Sequence, residues 1–156
     1  QRGDLVITAD ARIDNRDELI TALQINNRPS DKVVDSELIL AAYEKWGEDC
    51  PEHLLGDFAF AIWDERKQIL FCARDHFGVK PFYYYFANNN FVFGSEIKAI
   101  FCLQEVPREV NEVRIGDYLI KNFEDTTITS YKNILRLPPA HSVKISTAGI
   151  EIQNYW

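Results

Sequence analysis

Arg74 and Asp75 stand side by side at the end of an apolar run, and adjacent opposite charges of this kind can do two things. They can act as a catalytic pair, or they can fix the turn after a strand by charge-assisted hydrogen bonds, which is the commoner use. Cys50, Cys72 and Cys102 are an odd number of thiols without C-x-x-C spacing. That pattern suits a reducing compartment better than a disulfide scaffold, and each lies among apolar residues, where it reads as a small buried hydrophobe. His53, His76 and His141 are far apart with no ligand spacing, so no metal site is expected. Tyr83, Tyr84 and Tyr85 could stack on a ligand, although core or sheet-face packing is the more usual role. Asp35 precedes a long apolar-periodic run, a place where a carboxylate commonly caps a helix.

These residues must be held by elements that the pattern outlines. Leu5-Val6-Ile7-Thr8-Ala9 predicts a strand that is apolar on both faces, as in a sheet covered on both sides. A helix is expected from Asn15, capped by Asp14 or Asn15, with Leu19, Ile20 and Leu23 on one face. The polar loop 26–30 breaks it. Leu38, Ile39, Ala41, Ala42, Tyr43 and Trp46 form the apolar stripe of a second helix, and Gly47 stands where its C-terminus favours a left-handed residue. Runs 58–63 and 69–74 predict a hairpin across the charged loop 64–68, and runs 82–86 and 91–93 predict another around Asn88-Asn89-Asn90. Ser95 is expected to cap a short helix through Cys102, and a further helix is expected over 111–119. The tail alternates over 141–146, turns at Thr147-Ala148-Gly149 and returns to Trp156. Paired hairpins with flanking helices predict an α+β fold of two sheets with helices outside, an α-β-β-α sandwich.

The chain of 156 residues fits one domain, and its 46% apolar content is enough for a core. Its net charge of −7 argues against nucleic acid as a partner. No apolar run reaches membrane-spanning length and no signal segment opens the chain, so a cytoplasmic protein is expected. The absence of Met suggests a fragment or a chain whose front has been removed.

Three ordered phrases carry a resemblance: Gly56-Asp57-Phe58-Ala59-Phe60-Ala61-Ile62-Trp63-Asp64, Arg74-Asp75-His76-Phe77-Gly78-Val79-Lys80-Pro81-Phe82-Tyr83-Tyr84, and Gly94-Ser95-Glu96-Ile97-Lys98-Ala99-Ile100. With the helix phrase from Asp35 to Gly47, Leu137-Pro138-Pro139-Ala140-His141 and the closing Tyr155-Trp156, they resemble the class II glutamine amidotransferase domain of asparagine synthetases. The resemblance implies a four-layer N-terminal-nucleophile hydrolase sandwich over 1–156, lacking its N-terminal strands. It also implies an ATP-using synthetase domain after 156, with ATP and Mg as cofactors of that domain and none in this chain. Sheet edges exposed by missing strands would invite pairing between copies, a homodimer.

Chemistry of this type needs a thiolate with the chain's own α-amine as base, donors for the amide oxyanion, and charged groups for the substrate's α-carboxylate and α-ammonium. The family's thiol is the first residue of its mature chain and its carboxylate-holding arginine lies on an early loop. Both would fall upstream of Gln1, so the chain has no catalytic residue of its own. The family's asparagine-glycine-glutamate oxyanion phrase precedes an Ile-x-Asn phrase, and here Ile13-Asp14-Asn15 follows Asp10-Ala11-Arg12. Asp10 and Ala11 thus take the oxyanion positions, and Arg12 reverses the family's glutamate. An ionised Asp10 accepts where asparagine donates, and losing such a donor typically costs about two to three powers of ten in rate. Asp35 matches the aspartate that binds the glutamine ammonium, so Asp35 and Arg12 are the substrate-binding candidates, with glutamine held weakly or not at all.

Two functions follow from the resemblance. The first is the glutaminase domain of an asparagine synthetase-like ligase, passing ammonia to an acyl-adenylate, with this fragment inactive. The second is a degenerate domain with a structural or interaction role in an enzyme similar to β-lactam synthetase or a lasso-peptide cyclase, which the phrase from Arg12 to Arg16 also resembles.

Overall fold

The computed structural model describes all residues except 26–28, 30, 31, 89 and 123. The elements run β1 (Leu5–Ile13), α1 (Arg16–Ala22), α2 (Asp35–Trp46), a 3₁₀ turn (Gly47–His53), β2 (Gly56–Asp64), β3 (Ile69–Arg74), β4 (Tyr83–Ala87) and β5 (Asn90–Gly94). They continue with α3 (Ile97–Ile100), α4 (Glu112–Ile120), β6 (Ile134–Arg136), β7 (His141–Ser146) and β8 (Gly149–Asn154). The chain divides into two compact units, Gln1–Lys80 with Pro139–Trp156, and Pro81–Pro138.

The first unit is built on a five-stranded antiparallel sheet in the order β1-β2-β3-β7-β8. Phe58, Phe60 and Ile62 of β2 alternate with Ala59 and Ala61, and all five are buried. The alternation places three bulky side chains on one face of the pleat. They join Leu38, Ile39 and Tyr43 of α2 and Phe71 of β3 in one core. The α2 stripe is as the periodicity predicts, and Gly47 ends the helix at φ 62. The second unit has a three-stranded sheet, β5-β4-β6, packed with Ile100 of α3 and Val106. Asn88 adopts φ 51 in the β4–β5 turn, as expected of an asparagine there, whereas Asn89 lies outside the described residues, as do Asn26, Asn27, Arg28 and Ser30 of the expected loop.

Several local expectations need correction. β1 is longer than predicted and is not covered on both faces: Val6, Thr8, Asp10 and Arg12 on its even face are exposed. Its odd residues Leu5, Ile7, Ala11 and Ile13 pack on the core, and the charged Asp10 and Arg12 keep the even face in solvent. Asn15 takes the cap position of α1 as expected, but its side chain makes no capping bond; its amide instead donates to the His53 carbonyl and accepts from the Leu55 N–H, each at 3.0 Å. Ser95 caps nothing, because α3 starts later, after Glu96, and is a single turn. Cys102 is exposed, unlike Cys50 and Cys72. The helix over 111–119 does form, with the Asn111 side chain accepting from the Arg114 N–H.

His76 sits edge-on among the rings of Phe58, Tyr155 and Trp156, with centroids 6.3, 5.4 and 4.9 Å away. Burial lowers its proton affinity, against the pull of the Asp75 carboxylate. The unfolded chain therefore binds a proton before the folded chain does, so this contribution is complete above the ordinary value of 6.5 and is lost as pH falls through it. His76→Phe is expected to flatten the fall in urea midpoint between about pH 7.5 and 5.5 relative to the parent. Parallel pH profiles for the two proteins would contradict this.

Candidate functional site

The site is organised by one edge of one strand. In antiparallel pairs the N–H and C=O groups of alternate residues point at the partner. Asp14 donates to the Leu55 carbonyl and Glu65 to that of Asp4, so even-numbered residues of β1 face β2. Ile7, Ala9, Ala11 and Ile13 therefore turn their backbone groups to the opposite edge, where β1 pairs with no strand among the described residues.

Asp35 meets that edge at Ile13. The first residue of α2 is Asp35, after Val34 at φ −80 and ψ 154 has taken the cap position, so Asp35 does not cap the helix. Its carboxylate instead accepts from the Ile13 N–H at 3.3 Å and from the guanidinium of Arg16, which opens α1. Arg16 also donates to the Val33 carbonyl. The two side chains are 28% and 24% exposed, so the pair is partly withdrawn from water.

The three residues at the oxyanion phrase lie earlier on the same strand. Asp10 is exposed and its carboxylate is 2.7 Å from the Lys80 ammonium. The negative charge expected to oppose an oxyanion is thus met by a cation, although Asp10 still offers no donor. Ala11 has ordinary extended backbone and turns its N–H to the open edge. Arg12 points outward to Asp14 at 3.0 Å and Asp57 at 3.2 Å, and its hydrogen bond to Asp14 raises its already high proton affinity. Each of these charged positions carries its own counter-ion within the chain.

Lys80 is placed by the Arg74-Asp75 pair, which works as the turn clamp. Asp75 is buried and accepts from the N–H groups of Phe77, Val79 and Lys80 at 3.1, 2.9 and 2.9 Å. Arg74 donates to the carbonyls of Gly78 and Lys80 at 2.5 and 2.6 Å. A Cβ on Gly78 would come within 3.0 Å of the guanidinium carbon, so only glycine lets the loop fold this tightly over Arg74. The Tyr155 hydroxyl closes the arrangement by donating to the Arg74 carbonyl at 2.6 Å.

Burial pushes the Cys50 and Cys72 thiols up, far from the thiolate that nucleophilic attack requires. Cys102 is exposed with its sulfur beside the Lys98 carbonyl. No group of three or more His, Cys, Asp and Glu is placed to hold a metal among the described residues, and none of their helices is long and apolar enough to cross a membrane. A cavity of about 880 Å³ opens beside the start of α2, lined by Ile7, Leu23, Ile25, Val33, Glu37 and Leu40 among others, and neither Asp10 nor Asp35 lines it. Lys80 and Arg16 meet the candidate residues Asp10 and Asp35 through space, and sequence reasoning names neither. Both stand inside phrases it had singled out, but nothing in those phrases tells which carboxylate each will meet.

Residues 1–156 match the glutamine amidotransferase domain family. Asparagine synthetase [glutamine-hydrolyzing] 3 of Bacillus subtilis is 38% identical over 143 residues, covering 91% of this chain and 23% of that protein. A putative asparagine synthetase [glutamine-hydrolyzing] 2 of Methanocaldococcus jannaschii is 34% identical, covering 99% of this chain and 30% of its own length. The chain thus spans under a third of these two relatives. Among solved structures, glutamine phosphoribosylpyrophosphate amidotransferase from B. subtilis superposes over 100% of this chain and 30% of its own, with a TM-score of 0.68 at 15% identity. That likeness shows the fold, an α+β arrangement of antiparallel sheets and helices.

Proposed function

We propose, from the premise that this chain belongs to the glutamine amidotransferase domain family, that it is the glutaminase portion of an asparagine synthetase-like enzyme. In that reading ammonia from glutamine passes to an acyl-adenylate made by an ATP- and Mg-using synthetase domain elsewhere in the polypeptide. The observation that carries it is the match along the whole chain to asparagine synthetases. Asp35 is the carboxylate for the substrate's α-ammonium. The Ala11 N–H on the open edge is the donor left at the oxyanion position, with Lys80 neutralising Asp10 beside it.

Within residues 1–156 the Cys50 and Cys72 thiols are buried and held away from the thiolate this chemistry requires, and Cys102 has the Lys98 carbonyl rather than a base beside its sulfur. Incubated with glutamine, the 156-residue chain is expected to release no more ammonia than a protein-free blank. Measured turnover would sink that expectation.

A second reading, a degenerate domain kept for structure or interaction, is favoured by the internal counter-ions on Asp10, Arg12 and Asp35. Amide-¹⁵N glutamine given to the complete encoded polypeptide with ATP and Mg separates the two. The glutaminase reading expects label in the new amide. Amide formation from another amine, with the label left in glutamine, would favour the degenerate domain.

A further inference from the structure

Phe77 and Val79 face solvent from a loop that is otherwise pinned, and they are 79% and 58% exposed. Their N–H groups are held by the buried Asp75 carboxylate, and Arg74 grips the Gly78 and Lys80 carbonyls beside them. The outward position of both side chains is therefore set by the fold. Trp156, 69% exposed, stands next to them, with its ring edge-on to Phe77 at 5.8 Å and to His76 at 4.9 Å. Its neighbour Tyr155 is buried, and the Tyr155 N–H donates to the Ala140 carbonyl at 3.0 Å, which anchors the ring cluster from behind. Neither 76–79 nor 153–156 contains Asp, Glu, Lys or Arg, although these make up 26% of the chain. Exposed surface that is aromatic, poor in charge and rigidly backed has the make-up of an interface centre.

We infer that Phe77, Val79 and Trp156 form a docking face whose occupant is an apolar surface of the synthetase domain in the same polypeptide. This rests on the reading of the chain as one portion of an amide-forming enzyme, and not on glutamine hydrolysis. Length and position choose that occupant. The matched region is 23% of the B. subtilis relative and 30% of the M. jannaschii one, so most of each relative lies outside it. Polypeptide joined to Trp156 would start inside the face, where its effective concentration exceeds that of a separate partner. A pinned loop also loses little freedom on docking, so more of the apolar contact is realised as affinity. The loop ends at Lys80, whose ammonium meets Asp10, so the face and the oxyanion positions share one rigid support.

The test places p-benzoylphenylalanine at position 77 of the complete encoded polypeptide, irradiates it, and locates the adducts by mass spectrometry. Adducts to residues beyond 156 of the same polypeptide are expected, at monomer mass, alongside adducts to the adjacent Trp156. Val79→Asp puts a charge into the face and leaves the clamp in place, because what Val79 gives the clamp is its N–H. It is expected to lower the yield beyond 156 about tenfold or more, whereas Val79→Ile is expected to keep it. Adducts only within 1–156, adducts at dimer mass from a second copy, or a yield unmoved by Val79→Asp would each overturn the inference. The glutaminase reading is judged separately by the ¹⁵N label, so it survives any of those results. A complete polypeptide without a synthetase domain would overturn both.

Discussion

Asp75→Ala is expected to destabilise the chain by about 3–5 kcal/mol, enough to remove a large part of a domain's usual stability. One buried carboxylate serves three N–H groups of the loop after β3. Hydrogen bonds to a charged acceptor are individually strong, and alanine leaves all three donors without it. The same residue's backbone ties three places together: its N–H donates to Phe58 at 2.8 Å, and its carbonyl accepts from Gly78 at 3.1 Å and Ala140 at 2.9 Å. Loss of the side chain therefore frees the loop that carries Lys80 toward Asp10. Asp75→Asn has one acceptor oxygen for two of the donors but turns an NH₂ toward the third, so an intermediate loss is expected. Urea denaturation of the three proteins measures the order. A loss under about 1 kcal/mol for Asp75→Ala would show that solvent satisfies the freed donors.

Gly56→Ala is expected to cost about 4 kcal/mol through backbone contact and strain together. Gly56 opens β2 at φ +140, and a Cβ there would lie 2.0 Å from the Arg12 carbonyl oxygen and 3.1 Å from the Ile13 Cα. Backbone atoms cannot swing aside as a side chain can, so the ends of β1 and β2 must part. Ile13 carries the N–H that meets Asp35, so the change reaches the candidate site as well as the sheet. Gly149 is the internal control. Its φ of +122 is similarly unfavourable for alanine, but nothing lies within 4 Å of its Cβ position. Gly149→Ala should therefore show only the conformational penalty, about 1–3 kcal/mol. Equal losses at the two glycines would mean that the β1–β2 approach is not what limits Gly56.

The elements read well from sequence wherever the signal was local. The α2 stripe ending at Gly47, the 69–74 strand and the alternation of Phe58, Phe60 and Ile62 depend on neighbours within a few residues, and a periodic pattern has one stable face to bury. Caps were less legible. Asp35 and Ser95 are good capping residues, yet which residue has cap geometry is decided by where the chain enters the helix, and Val34 and Glu96 stand there instead. The outer face of β1 failed for a similar reason. Leu5 to Ala9 looks apolar on both sides, but which face is covered is decided by what packs on the sheet, and the core lies against the odd face.

The amino-acid sequence by itself determined the family, the main helices and hairpins, and the identity of Asp10, Ala11, Arg12 and Asp35 as the positions to examine. Those are properties of residue type and short spacing, which need no tertiary contact. Only the tertiary structure decided the charge state of the site as a whole, because Coulomb attraction acts through space and not along the chain. It brought Lys80 from the far side of β3 to Asp10 and Arg16 from α1 to Asp35, converting two apparent anionic sites into closed ion pairs.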